Sequence, residues 1–96
     1  MFKTKQSEGK TIFAFEGRLD TSTCSKIEND ILTQVKGTTQ PIVFDLDKID
    51  FVSSSFLRIC IFAAKKAGAG NFQIINTLPQ INKVFKIAGL DQFMAS

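Results

Sequence analysis

Three consecutive serines, Ser53-Ser54-Ser55, follow an apolar stretch and precede a segment with helical periodicity. Hydroxyls so placed resemble the nucleophile elbow of hydrolases, but the remaining parts are missing. The G-x-S-x-G frame is absent, no S-x-x-K pattern accompanies these serines, and the 96 residues include no His to serve as base. A phosphate-cradling loop is excluded on similar grounds. Gly68-Ala69-Gly70 leads into a strand-like segment instead of a helix, and G-x-x-x-x-G-K-[ST] does not occur. Cys24 and Cys60 are too few for a zinc site and form no C-x-x-C pair. These absences argue against a serine hydrolase, a phosphate-loop protein and a zinc site, and no cofactor or metal is expected.

Two readings of the serine cluster remain. One serine at the start of a helix is explained by capping, because its oxygen accepts a backbone N–H of the first turn. Three in a row exceed what a cap requires. A phosphate there would meet the positive end of a helix and its unpaired N–H groups, and would add nearly two negative charges. Such a site suits a switch that alters binding without unfolding the domain.

The elements that must position the serines are legible from turn signals and periodicity. Residues 2–7 and 11–15 flank Glu8-Gly9-Lys10 and predict a hairpin. Residues 21–36 predict a helix with Cys24, Ile27, Ile31 and Val35 on one face and Gly37 as its stop. Ile42-Val43-Phe44-Asp45-Leu46 predicts a buried strand, and residues 49–55 a loop ending in the hydroxyls. From Phe56 to about residue 67 a second helix is expected, with Leu57, Cys60, Ile61 and Ala64 inward. On that wheel Phe62 falls almost opposite, with Ile59 toward the same flank. The two are then either a contact surface or residues packed under a neighbouring element. Residues 72–75 predict another strand. A third helix follows, capped by Thr77, with Ile81, Val84, Phe85 and Ala88 inside and Gly89 at its end. A stub of strand is expected near residues 92–94.

The order is β-β-α-β-α-β-α. It predicts one α/β domain over residues 1–96, a four- to five-stranded mixed sheet with helices mainly on one side. In such sheets functional groups gather where a strand's C-terminal end meets a helix, which is where the serines lie. The net charge of +3 comes from 12 Lys+Arg and 9 Asp+Glu. The cations are scattered, only Lys65-Lys66 being adjacent, which argues against direct nucleic-acid binding. No apolar run reaches the roughly 18 residues of a membrane span, so no membrane insertion is expected. The free thiols and the lack of a signal-like start suggest the cytoplasm. The ten Phe stand in for the absent Trp and Tyr and are expected mostly in the core, Phe13, Phe44 and Phe85 among them.

Gly17-Arg18-Leu19-Asp20, Ile42-Val43-Phe44-Asp45-Leu46, the run Phe51-Val52-Ser53-Ser54-Ser55-Phe56-Leu57-Arg58-Ile59, and Ile87-Ala88-Gly89-Leu90-Asp91 occur in this order. Together they resemble a STAS domain, the fold of bacterial anti-sigma factor antagonists. The resemblance implies that Ser54, aligned with the acceptor in Asp-Ser-Ser-Gly-Leu and Ser-Ser-Ala-Gly-Leu, is phosphorylated by an anti-sigma factor serine kinase. It also implies that the unphosphorylated protein binds that kinase and frees its sigma factor, and that a PP2C-type phosphatase resets the cycle. Stand-alone domains of this kind also brace the ATPase of phospholipid-transport ABC complexes, a constitutive alternative.

Around Ser54, the resemblance makes Asp20, Thr21, Ser53, Ser55 and Phe56 candidates for the partner-facing surface, and Arg58, one turn into the helix, joins them with Ile59 and Phe62 from the helical wheel. Phe56 replaces the family's Gly, and so either obstructs a kinase or anchors a different partner. Asp20 is equally explained, with residues 21–23, as a helix cap. Arg58 is either a solvated charge or the partner of a phosphoserine.

Overall fold

A computed structural model of the chain describes residues 2–68 and 70–94. Strands β1 (Phe2–Ser7) and β2 (Lys10–Glu16) form the antiparallel hairpin. Its two-residue turn has positive φ at Glu8 (52°) and Gly9 (77°), the backbone pattern whose twist suits a tight hairpin. The chain continues through helix α1 (Thr21–Gly37), strand β3 (Ile42–Lys48), helix α2 (Ser54–Ala67), strand β4 (Phe72–Ile75), helix α3 (Pro79–Ile87) and a 3-10 turn (Asp91–Phe93). The sheet order is β1-β2-β3-β4, with β2, β3 and β4 parallel. The strand expected at residues 92–94 is instead this 3-10 turn and one parallel bridge from Met94 to Ile74. Ala69 of the Gly68-Ala69-Gly70 turn lies outside the described residues.

Alternation along the strands sets the layers. Phe13 and Phe15 of β2, Ile42, Phe44 and Leu46 of β3, and Phe72 and Ile74 of β4 share one cluster with the buried residues of all three helices. Val43, of opposite parity, is buried outside that cluster. The helices therefore cover one sheet face. Aromatic rings link the strands across it. Phe44 lies 5.4 Å from Phe13, 5.1 Å from Phe15 and 5.0 Å from Phe72 between ring centres. In α1, Cys24, Ile27, Ile31 and Val35 face inward as their spacing predicts.

Helix α2 departs from expectation in two ways. It begins at Ser54, so two of the serines belong to its first turn. Its inner face is Ser55, Phe56, Ile59, Cys60 and Ala63, while Ile61 is 39% exposed and Leu57 and Ala64 lie at the margin. The helix is apolar on nearly every side between Phe56 and Ala64, so periodicity alone could not fix its rotation. Packing fixes it. Phe56, 0% exposed, places its ring 5.2 Å from Phe15 and 5.9 Å from Phe44. In α3 the N-cap is Leu78, with Pro79 in the first turn. Thr77 does not cap the helix; its hydroxyl donates to Asn82 Oδ1. Ile81 and Phe85 are buried, but Val84 is marginal and Ala88 exposed.

Phe56 is thus a core residue. Phe56→Ala should cost about 3–5 kcal/mol, a large share of the roughly 5–15 kcal/mol that holds a small domain folded. Denaturant unfolding checks this. A loss below about 1 kcal/mol, in the range of surface substitutions, would contradict the packing described.

Candidate functional site

The sheet directs two strand-to-helix junctions to the same end of the molecule. Beyond the strands proper, Leu19 and Val52 form one more parallel bridge. Leu19 N–H donates to the Phe51 carbonyl (3.2 Å), and Ser53 N–H donates to the Leu19 carbonyl (2.9 Å). Both side chains are buried. Gly17, at φ 91°, occupies backbone space that a side chain would resist, and turns β2 toward this bridge. The segments leading into α1 and α2 are thereby tied together.

Each serine has a distinct place. Ser53 is the N-cap residue of α2, but its side chain makes no capping bond. Its Oγ instead lies 3.8 Å from Cys24 Sγ, and the Cys24 thiol donates to the Leu19 carbonyl at 3.7 Å. The Ser53 carbonyl accepts from the N–H groups of Phe56 and Leu57. Ser54 is the first residue of the helix and is exposed. Ser55, 9% exposed, turns inward. Capping by a serine hydroxyl, the structural explanation of the cluster, is therefore not what these residues do.

Asp20 does cap its helix. Its Oδ1 accepts from Thr23 N–H at 2.8 Å, and it is the N-cap of α1. Hydrogen bonding from Thr23, aided by the charges of Arg18 and Lys26, holds its carboxyl below the usual Asp range. Thr21, the first residue of α1, is exposed. Arg58 is exposed one turn after Ser54.

Four candidates need correction. Ser55, Phe56 and Ile59 are buried and present no side chain to a partner. Phe62 is half-buried at the edge of the core, and Lys36 Nζ of α1 lies 5.8 Å from its ring centre, so it packs beside the neighbouring helix.

Two contacts had no signature in the sequence. The Cys24 thiol, which reads as a small core group, joins the two junctions. Burial pushes it up from its ordinary pKa, so it stays protonated and able to donate at neutral pH. The Arg18 guanidinium lies 4.2 Å from the ring centre of Phe51, which is 37% exposed. Both contacts join residues about 30 positions apart, beyond any local periodicity. Cys24's place on the inner stripe near the start of α1 was the only available hint.

The site therefore offers an exposed serine at the start of a helix whose next two residues are buried. The first turn of α2 contains no acidic residue that would repel an added anion. Among the described residues no cluster of His, Cys, Asp or Glu could hold a metal ion, and no helix is long and apolar enough to cross a membrane.

The Asp20 cap makes a pH prediction. Its folded pKa is lowered, so its contribution is present above the ordinary Asp value and disappears as pH falls through the depressed one. Asp20→Ala should lower the melting temperature at neutral pH, with the difference from the native chain shrinking as the pH falls below the ordinary Asp range. Asp20→Asn, which keeps a capping oxygen, should lose less. A gap between native and Asp20→Ala proteins that is constant with pH would contradict this role.

Comparison with known proteins agrees with this geometry. The chain is 26% identical over 84 residues, 85% of its length and 72% of the relative's, to BtrV of Bordetella bronchiseptica, provisionally named an anti-sigma factor antagonist. Among solved structures, the anti-sigma factor antagonist SpoIIAA in its unphosphorylated form superposes with a TM-score of 0.83 at 21% identity, covering 99% of this chain and 86% of that one. The phosphorylated form of SpoIIAA, a Bacillus cell fate determinant, gives 0.75 at 22%, covering 99% and 89%. An anti-sigma-factor antagonist (STAS) domain protein from Planctomyces limnophilus gives 0.84 at 20%, covering 99% and 88%. At these identities the structural likeness establishes the fold. The family model of the STAS domain matches residues 1–95, and the chain belongs to the STAS domain family.

Proposed function

We propose that this chain is an anti-sigma factor antagonist, acting by reversible binding to an anti-sigma serine kinase and switched by phosphorylation of Ser54. The observation that carries the reading is the exposure of Ser54 as the first residue of a helix whose next two residues, Ser55 and Phe56, are buried. In the phosphorylation step Ser54 Oγ attacks the γ-phosphorus of ATP bound to the kinase. A new O–P bond forms, the bond to the β–γ bridging oxygen breaks, and ADP leaves. The hydroxyl proton passes to a base of the kinase, since this chain has no His. The product carries nearly two more negative charges on an otherwise unaltered surface. Repulsion at the docked face then releases the partner. A PP2C-type phosphatase restores the hydroxyl by hydrolysis.

The relatives support this reading. One of them, SpoIIAA, is described in both unphosphorylated and phosphorylated forms. Asp20 and Thr21 at the start of α1, and Ser53 and Arg58 in the segment that carries Ser54, are proposed as partner contacts. The Phe56 side chain faces the core, so it neither obstructs a kinase nor anchors a different partner.

The native protein, isolated under phosphatase inhibition, should carry a single phosphoryl group on Ser54. Its unphosphorylated form should capture a histidine-kinase-like ATPase. Ser54→Ala should bind that ATPase constitutively, and Ser54→Asp should bind about tenfold or more weakly. Co-purification with transporter components and no phosphate on Ser54 would overturn the reading.

A further inference from the structure

Arg58 stands four residues after Ser54 on α2, and both side chains are exposed. Residues so spaced lie one above the other on a helix, their Cβ atoms about 5–6 Å apart. Helical side chains lean toward the N-terminus, so Arg58 leans back over the turn that carries Ser54. Helix α2 contains no Asp or Glu. Among the described residues Arg58 takes part in no ion pair, hydrogen bond or ring contact. The other arginine at this end, Arg18, is engaged with the Phe51 ring. A guanidinium matches a phosphate group with two parallel hydrogen bonds, a fit that an ammonium cannot reproduce.

We propose that Arg58 is a positioning residue for a phosphate on Ser54, holding it along the outer face of α2 in a one-turn pair. The biological use of the pair rests on the reading of Ser54 as the acceptor. The pair itself is a property of this helix face and is separate from any attraction of the helix start. It would fix where the phosphate stands. With Arg58 counted, the modified turn carries a net charge near −1.

The test is a double-mutant cycle on the full chain, with phosphoserine introduced at position 54 during translation. Melting temperatures are compared with and without the phosphate, in the native background and in Arg58→Gln, at low salt. The phosphate should be more favourable by about 1–4 °C when Arg58 is present. Arg58→Lys should retain part of this coupling, and about 1 M salt should suppress it. Lys65→Gln removes an equal charge farther along the helix and should leave the coupling intact. A phosphate effect that is the same with and without Arg58 would overturn the proposal, as would equal loss of coupling in Lys65→Gln and Arg58→Gln. Because the phosphate is installed without a kinase, these outcomes do not depend on Ser54 being the natural acceptor. A native protein never phosphorylated on Ser54 would remove the acceptor reading and leave the pair standing.

Discussion

Two backbone hydrogen bonds between Leu19 and the segment Phe51-Val52-Ser53 carry the pairing of β2 and β3 past the ends of the strands. Bonds of this kind contribute about 1 kcal/mol each, so the bridge persists because the Leu19 and Val52 side chains are buried beneath it. It brings the starts of α1 and α2 to one place and leaves Cys24 within reach of both Leu19 and Ser53. Every feature of the candidate site follows from that tie. Asp20 closes the start of one helix, and Ser54 begins the other.

From Ser54 onward the helix divides its residues by direction. Phe56 and Ile59 anchor the turn to the rings of the sheet, while Ser54 and Arg58 face solvent. A group added to the Ser54 hydroxyl therefore changes the surface without entering the core. Charge is the natural signal at such a place. On the proposed reading the fold supplies the frame and Ser54 the acceptor, and the chemistry of modification is left to other proteins.

The sequence was informative where polar and apolar residues were cleanly segregated. The stripe of Cys24, Ile27, Ile31 and Val35 was legible because the other face of α1 is polar, and residues 72–75 were legible because turn residues bound them. In α2, Leu57, Ile61, Phe62 and Ala64 supply a second apolar face that competes with the true one, and the expected rotation was displaced. Phe56 was misplaced for a different reason. It occupies a position where relatives carry Gly, and the surface role of that Gly was transferred to a side chain too large and apolar to remain outside. Thr77 has the right chemistry for a cap, but Pro79 and the Asn82 contact shift the helix start to Leu78. The contacts of Cys24 with Ser53 and of Arg18 with Phe51 depend on two distant segments meeting, which only the sheet order determines.

The central claim is that charge on Ser54 governs what docks at the tied junction while the junction itself stays intact. Amide hydrogen exchange tests both halves directly. It would be measured on the unmodified chain and on the chain carrying phosphoserine at position 54, each free and with the anti-sigma kinase partner. The account predicts matching exchange in the two free forms beyond the first turn of α2. It also predicts partner-induced protection around residues 18–20 and 51–58 in the unmodified form alone. Equal protection in both forms, or exchange rising throughout α2 on phosphorylation, would contradict it.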